Sequence, residues 1–447
     1  MSTHADSATF TTPTGRTSAP EYARSQGVAA VDYLRSRGFV HDVSDEDGLR
    51  EHLETGSRTY YIGYDPTGIS LHAGHMATLM LHGTLQRFGH RPIAVAGGGT
   101  AMVGDPTGRT SARDIIKTED LERNLQGISE QLAKYLDFEG NQFGDNPAAS
   151  LVNNADWLLK LKYIPFLRDI GQHFSVNEML ATETYRNRFE TGGLNFVEFN
   201  YRLVQSYDFL HLYREEGCTL QLGGSDQWSN ILGGVDLIRR ADAGKAYALV
   251  QPLITTPSGE KMGKTGTGLR VWLNPEMFSP YDYYQFWVNT DDVMVETYLK
   301  RFTYILDDEI AELTSVSGEA LRESKRVLAQ EATAIAHGLD AARQAEEATK
   351  RLFSGGGSGP DASDDSLPTT EIAASDLTDE FTLADAFVAA ELAKSRGEAR
   401  RLAQQGGLRV NDEQQKDVDV PFAGLLGGET VVLLRAGKKR FKRIAIV

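Results

Sequence analysis

Short apolar runs bounded by turn residues alternate with helical stretches over the first 270 residues. Residues 58–64 (RTYYIGY) form the first such run, closed by Asp65-Pro66. Residues 70–88 follow with a helical pattern, and Gly89 is the expected stop. RPIAVAGG (91–98), ASLVNN (149–154), CTLQLGG (218–224) and AYALVQPLI (246–254) read as further strands, with helices such as 114–136 and 199–214 between them. Strand–helix alternation at this spacing predicts an α/β fold with a doubly wound parallel sheet. Ligands of such sheets sit beyond the carboxyl ends of the strands, where loops open into helices.

From about residue 275 to 353 the pattern turns helical. Asp307-Asp308-Glu309 heads one helix, and SGEALRESKRVLAQEATAIAHG reads as a second, long and amphipathic one. Residues 354–370 (SGGGSGPDASDDSLPTT) have linker chemistry, with nothing to pack. Residues 376–447 suffice for a small α+β domain: helices at 383–393 and 396–405, then short strands. The expected divisions are a disordered extension at 1–30, a catalytic domain at 31–270, a helical domain at 271–353, a linker at 354–375 and a small domain at 376–447.

Composition refines this picture. A chain of 447 residues exceeds one ordinary domain. No apolar run is long enough to span a bilayer, so no membrane partner is expected. The single cysteine, Cys218, excludes an internal disulfide framework and a cysteine-rich zinc site, and fits a reducing cytoplasm. The Ser/Thr/Ala-rich start lacks the apolar core of a signal peptide, and Asp6 and Glu21 suit a transit peptide poorly. The net charge of −16 argues against nucleic acid until its distribution is considered. From Lys394 onward there are 12 Lys/Arg and 6 Asp/Glu, a net of +6, so the remainder carries −22. A basic tail on an acidic body is the footprint of an RNA-contacting module or of a solvated basic terminus, and charge alone does not choose between them.

Two motifs carry chemistry. His72-Ala73-Gly74-His75 falls just after a strand, where a helix begins. Free N–H groups and partial positive charge at a helix N-terminus attract phosphate, two imidazoles add donors, and Gly74 allows close backbone approach. Histidines placed there could equally cap a surface helix. Lys261-Met262-Gly263-Lys264-Thr265, preceded by Thr256-Pro257-Ser258-Gly259-Glu260, brackets a glycine with two lysines in a flexible loop. Such a loop can close on a triphosphate and neutralise charge as it develops, or remain a solvated surface loop.

Together these motifs resemble the paired signatures of a class I aminoacyl-tRNA synthetase. Tyr61-x-Gly63-Tyr64-Asp65-Pro66-Thr67, Gly104-Asp105-Pro106, Asn154-Ala155-Asp156-Trp157, Tyr201-x-x-x-Gln205-x-x-Asp208 and Gly223-Gly224-Ser225-Asp226-Gln227-Trp228 resemble the tyrosyl-specific, bacterial-type members. The resemblance spans roughly residues 30 to 447. It implies a Rossmann-like catalytic domain with a dimer-forming insertion, a helical anticodon-side domain and a ribosomal-protein-like RNA-binding domain. It also implies tyrosine activation by ATP, with Mg²⁺ accompanying the triphosphate, and transfer to tRNA(Tyr) by a homodimer.

The same resemblance assigns roles. Tyr61 and Asp208 match positions around a phenol, which can donate to a carboxylate and accept from another phenol. Tyr201, Gln205 and Asp105 match holders of the substrate ammonium; the helical spacing of 201, 205 and 208 can present all three to one side. Asp65, Asn154 and Gln227 complete the tyrosine set. Gly63, Thr78, Gly224 and Asp226 match ATP-side positions, Asp226 at the ribose. His72, His75, Thr67, Lys261, Lys264 and Thr265 match the catalytic set, acting by positioning and charge stabilisation without a covalent enzyme intermediate. Arg109 and Arg113 match a basic segment near pyrophosphate, and Phe196 a dimer-interface position. Ile62 departs from the family's frequent cysteine, losing a weak polar contact to the ribose. Residues 383–411 resemble the small RNA-binding module, whose Arg396, Arg400, Arg401, Lys438, Lys439 and Arg440 would contact mostly phosphate. The alternatives are a tryptophanyl-tRNA synthetase, a small-molecule adenylyltransferase and a catalytically inactive RNA-binding relative. The Tyr61/Asp208 pair, the lysine loop and the intact signature residues count against them in turn.

Overall fold

The computed structural model describes residues 10–107, 118–257, 259, 261–265, 268–353, 367, 369–411, 413–437 and 440–447. It divides into two compact units, Met1–Met277 with Val288–Ala336, and Phe278–Trp287 with His337–Val447.

In the first unit, β1 (Asp42–Val43), β2 (Thr59–Tyr64), β3 (Arg91–Ala96), β4 (Ser150–Asn153), β5 (Cys218–Gly224) and β6 (Tyr247–Gln251) form one sheet in the order β1-β6-β5-β2-β3-β4. All neighbours pair in parallel except β1, which joins β6 antiparallel. Two residues are too few to show a period, and β1 was not expected from the pattern. β6 is buried along its whole length and β3 over all but its first residue, as a sheet covered on both faces requires. The chain runs outward from β2 through β3 to β4, then returns to the far side of β2 for β5 and β6. That reversal leaves a crevice between the carboxyl ends of β2 and β5.

One face of the sheet packs Tyr61, Ile93 and Val95 against Phe209, Leu210, Leu237 and Ile238, from the helices Tyr201–Glu216 and Trp228–Asp242. Each such aliphatic or aromatic side chain contributes about 1.5–3 kcal/mol on burial. The helix expected from residue 70 begins only at Ala73. Leu71 N–H donates to Gln131 Oε1 at 2.8 Å and Ser70 Oγ donates to Leu71 O at 2.6 Å, which ties residues 70–71 outside the helix.

Residues 10–30 do not form a disordered extension. Thr11 and Thr17 form a bridge, and the helix Ala19–Ser25 follows. Thr12 Oγ1 donates to the buried Glu331 carboxylate at 3.0 Å, and Ala19 N–H to Tyr304 O at 2.8 Å. Composition suggested disorder because the segment holds few apolar residues; its order comes from hydroxyls meeting a buried acid more than 300 positions away.

In the second unit, β7 (Thr369–Ile372), β8 (Leu408–Val410), β9 (Glu413–Gln414), β10 (Val431–Ala436) and β11 (Arg440–Ile446) form a sheet in the order β7-β11-β10-β8-β9. Only β7 pairs in parallel. The helices Leu383–Ala389 and Arg396–Gln404 supply Leu383, Phe387 and Ala399 to a core completed by Phe422, Val432, Leu434 and Ile444. Two expected boundaries move. Residues 369–372, assigned to the linker, are a strand. Residues 278–287 and 337–353, assigned to the helical domain, belong here, because Tyr281 and Ala348 bury against Leu433 and Phe441. Contacts across that sequence distance leave no periodic trace.

Candidate active site

A cavity of about 490 Å³ opens at the crevice of the first unit's sheet. β2 and the turn after it bring Tyr61, Ile62, Gly63, Asp65 and Thr67 to its wall, and the next helix brings His72, His75 and Thr78. Asp105 and Asn154 arrive from the segments after β3 and β4. Gly224, Asp226 and Gln227 come from the end of β5, and Lys261 and Lys264 from the loop after β6. Tyr201, Gln205 and Asp208 line it from a single helix. Thr265 does not line the cavity: its N–H donates to Leu269 O at 2.7 Å and its hydroxyl accepts from Leu269 N–H at 3.1 Å, closing the loop on itself. Arg109 and Arg113 lie outside the described residues.

At one end the wall is buried and polar. Asp208 is 3% exposed. Its Oδ2 accepts from Asn154 Nδ2 at 2.8 Å and its Oδ1 from Trp157 Nε1 at 2.7 Å. The Asn154 amide is itself oriented, because its Oδ1 accepts from Gly99 N–H at 2.7 Å. Burial pushes the Asp208 carboxyl up to about 7; the Asn154 and Trp157 donors oppose the shift and the Asp65 charge adds to it. Tyr61 OH, equally buried, makes no hydrogen bond to any described residue, and burial beside Asp208 raises its pKa well above the usual phenol value. Nearby, Tyr201 OH donates to Asp65 Oδ2 at 3.1 Å, and Gln227 Nε2 donates to Asp105 Oδ2 at 2.8 Å. Gln205 Oε1 and Gln221 Oε1 are buried acceptors without a partner among the described residues.

At the other end the cavity meets the helix N-terminus. His72 is the N-cap: its Nδ1 accepts from Gly74 N–H at 3.1 Å, and His75 Nδ1 accepts from His72 N–H at 3.2 Å. An accepting nitrogen carries no hydrogen, so each neutral ring holds its proton on Nε2. Both rings are neutral near pH 7. Burial lowers His72 to about 4, with Arg270 assisting, and lowers His75 to about 3, with His72 and Arg270 assisting.

The lysine loop is stitched to this helix start. Ala73 N–H donates to Val271 O at 2.8 Å and Leu273 N–H to Leu71 O at 2.9 Å. Gly74 is required here: a Cβ would stand 2.8 Å from Met262 O, so the close approach it permits is that of the loop's own backbone. Lys261 Nζ sits 3.1 Å from Asp226 Oδ2.

Four contributors escaped the sequence reading. Trp157 was visible inside its motif but had no role until its indole met Asp208. Arg270 and Gln221 line the cavity with no local signal, and Thr100 donates to Asp65 Oδ1 at 2.7 Å.

The expected RNA-contacting arginines of the second unit are exposed but not free. Arg396 pairs with Asp385, Arg400 with Asp419 at 2.7 Å and Arg401 with Glu398 at 3.7 Å. Arg440 opens β11 and is half-buried. Lys438 and Lys439 lie outside the described residues.

Comparison with known proteins agrees with this geometry. A family model described as tRNA synthetases class I (W and Y) matches residues 53–354, and one described as the tyrosine–tRNA ligase SYY-like C-terminal domain matches 361–444. A tyrosine–tRNA ligase of Desulfosudis oleivorans is 46% identical over 437 residues, covering 94% of this chain and 99% of its own. The chain belongs to the tyrosine–tRNA ligase family. Its relative from Clostridium tetani is 44% identical over 420 residues, covering 94% of this chain and 100% of its own. Among solved structures, a C-terminally truncated mitochondrial tyrosyl-tRNA synthetase of Aspergillus nidulans superposes with a TM-score of 0.66 at 30% identity, covering 74% of this chain and 97% of that one. The family membership separates this chain from small-molecule adenylyltransferases.

Proposed function

We propose that this chain activates L-tyrosine with ATP to tyrosyl-adenylate and pyrophosphate, then transfers the tyrosyl group to the terminal adenosine of tRNA(Tyr). One observation carries the reading. A single cavity has a buried phenol with no partner among the described residues and a buried carboxylate at one end, and two Nε2–H imidazoles with two lysines at the other.

The substrate phenol donates to Asp208 and accepts from Tyr61 OH. Phenylalanine in that place leaves two buried groups unsatisfied, which is costly. Gln205 and Tyr201 face the ammonium, with the charges of Asp65 and Asp105 close by. The carboxylate oxygen attacks the α-phosphorus, the bond to the bridging oxygen breaks, and pyrophosphate leaves. His72 and His75 donate from Nε2 to phosphoryl oxygens, and Lys261 and Lys264 neutralise the departing charge. Asp226 turns to the ribose once Lys261 swings to phosphate. Mg²⁺ is assigned to the triphosphate's own oxygens. A hydroxyl of the tRNA's terminal ribose then attacks the adenylate carbonyl and AMP leaves.

A homodimer is part of the proposal. Phe196 is 64% exposed rather than a core residue, and Tyr163, Ile164, Val176, Phe189 and Val197 of the same unit are also more than half exposed. Phe196→Asp should shift the sedimentation coefficient to that of a monomer. The test of the activity is pyrophosphate exchange measured amino acid by amino acid. Exchange with tyrosine is expected; exchange with tryptophan and none with tyrosine would end the assignment.

A further inference from the structure

Beneath the nucleotide end lies a buried cation that no described carboxylate neutralises. Arg301, on the helix Val295–Phe302, is 3% exposed. Its guanidinium donates to Gly38 O at 2.6 Å, to Gln251 Oε1 at 2.5 Å and to Pro252 O at 3.5 Å, and lies 4.7 Å from the centre of the Phe39 ring. A charge buried without a counter-ion is costly, so its use is to be sought in the groups it holds.

Gln251 ends β6 and is 2% exposed. A guanidinium only donates, so the amide oxygen must face Arg301 and the amide nitrogen must face the other way. That nitrogen donates to Thr78 Oγ1 at 2.9 Å. Thr78 lines the cavity one helical turn beyond His75. The polarity of the chain of bonds is therefore set from its buried end: Thr78 Oγ1 accepts, and its hydroxyl hydrogen is left to donate. The other threonine of this helix, Thr84, donates to Met80 O at 2.7 Å in the usual i−4 manner. Among the described residues Thr78 makes no such bond.

We propose that Arg301 and Gln251 are positioning residues that fix the direction of the Thr78 hydroxyl, presenting it as a donor to an acceptor oxygen of the bound nucleotide. The inference rests on the placement of ATP proposed above. It gives Arg301 a role in ATP affinity although it touches no substrate, and it adds a link to Pro252, which leads into the lysine loop through the cavity-lining Leu253 and Ile254.

Gln251→Glu tests it. The carboxylate keeps the side chain's size and pairs with Arg301, but it only accepts, so Thr78 must turn its hydrogen inward. The KM for ATP in pyrophosphate exchange should rise about fivefold, the value of one neutral hydrogen bond, while the KM for tyrosine holds and Tm stays level or rises. In the Thr78→Ala background the same substitution should add nothing, whereas a merely electrostatic or structural penalty would persist. An unchanged ATP KM in Gln251→Glu, or an equal penalty in both backgrounds, overturns the relay. If Thr78→Ala alone leaves the ATP KM unaltered, it is the placement of Thr78 beside the nucleotide that fails, and the relay falls with it.

Discussion

The Asp208 end of the cavity and the arginine face of the second unit are both polar, yet they are organised in opposite ways. At Asp208 each polar group is buried and oriented from behind, by Asn154, Trp157 and Gly99, and the groups left over, Tyr61 OH and Gln205 Oε1, have no described partner. On the second unit Arg396, Arg400 and Arg401 are exposed, and each carries an acid close to it in space. Burial makes an unmatched group costly, so such a site is selective for whatever matches it. Exposed pairs exchange partners at little cost and suit a ligand recognised mainly by charge.

The largest effect tests the far end of the first region. His75→Ala removes an Nε2–H donor from the phosphate side and should lower kcat for adenylate formation by about 10²–10³, leaving the tyrosine Kd unchanged. A rapid-quench measurement with labelled ATP reads both. Equal loss of tyrosine affinity would show that the two ends are not separate.

Acid–base behaviour should come next in size. With the Asp208 carboxyl held at about 7 by burial, the free protein should bind tyrosine better as the group ionises, since in the proposed pose the substrate phenol donates to the carboxylate. The Kd for tyrosine should tighten by about thirtyfold between pH 5.5 and 8.5, read by equilibrium dialysis, and the dependence should vanish in Asp208→Asn. Stability moves the other way. A raised folded-state pKa makes the Asp208 contribution complete below about pH 4 and lost as pH climbs through 7, so the ligand-free protein should lose Tm relative to Asp208→Asn over that window. No activity change should trace to His72 or His75 near neutrality, since burial keeps both rings uncharged far below it.

Tyr61→Phe is smaller. It removes one donor to the substrate phenol and should reduce the preference for tyrosine over phenylalanine, in kcat/KM, by about fivefold to tenfold. The smallest effect belongs to the second region. Asp419→Asn releases Arg400 from its pair and should tighten tRNA binding about twofold, with the slope of log Kd against log salt steeper by about one. A filter-binding salt series checks it; an unchanged slope would mean that Arg400 meets no phosphate.

The division of the chain argues for point substitutions rather than truncation. Cutting before residue 376 would remove Leu433 and Phe441 while leaving Tyr281 and Ala348, which pack on them, exposed to water. Any loss of charging by such a truncation would mix lost RNA contacts with lost folding.

What the sequence determined by itself is the part written in local pattern. Buried strands announce themselves by apolar runs and helices by their stops, so the parallel sheet and a helix opening at the histidine motif were legible, while the strand order that puts the switch between β2 and β5 was not. The polar residues of the cavity that follow strands, such as Asp65, Asp105 and Asp226, were named through the family resemblance, whereas Thr100, Gln221 and Arg270 were not. Tertiary structure decided what depends on distant partners. Thr12 and Thr14 are anchored by finding Glu331, and Gln251 acquires its direction from Arg301. Trp157 becomes part of the Asp208 setting through a single hydrogen bond, and the arginines of the last unit lose free charge to Asp385 and Asp419. Periodicity encodes which side of an element faces the core; it does not encode which far-off donor meets which acceptor. That is settled only when the folded chain brings them together.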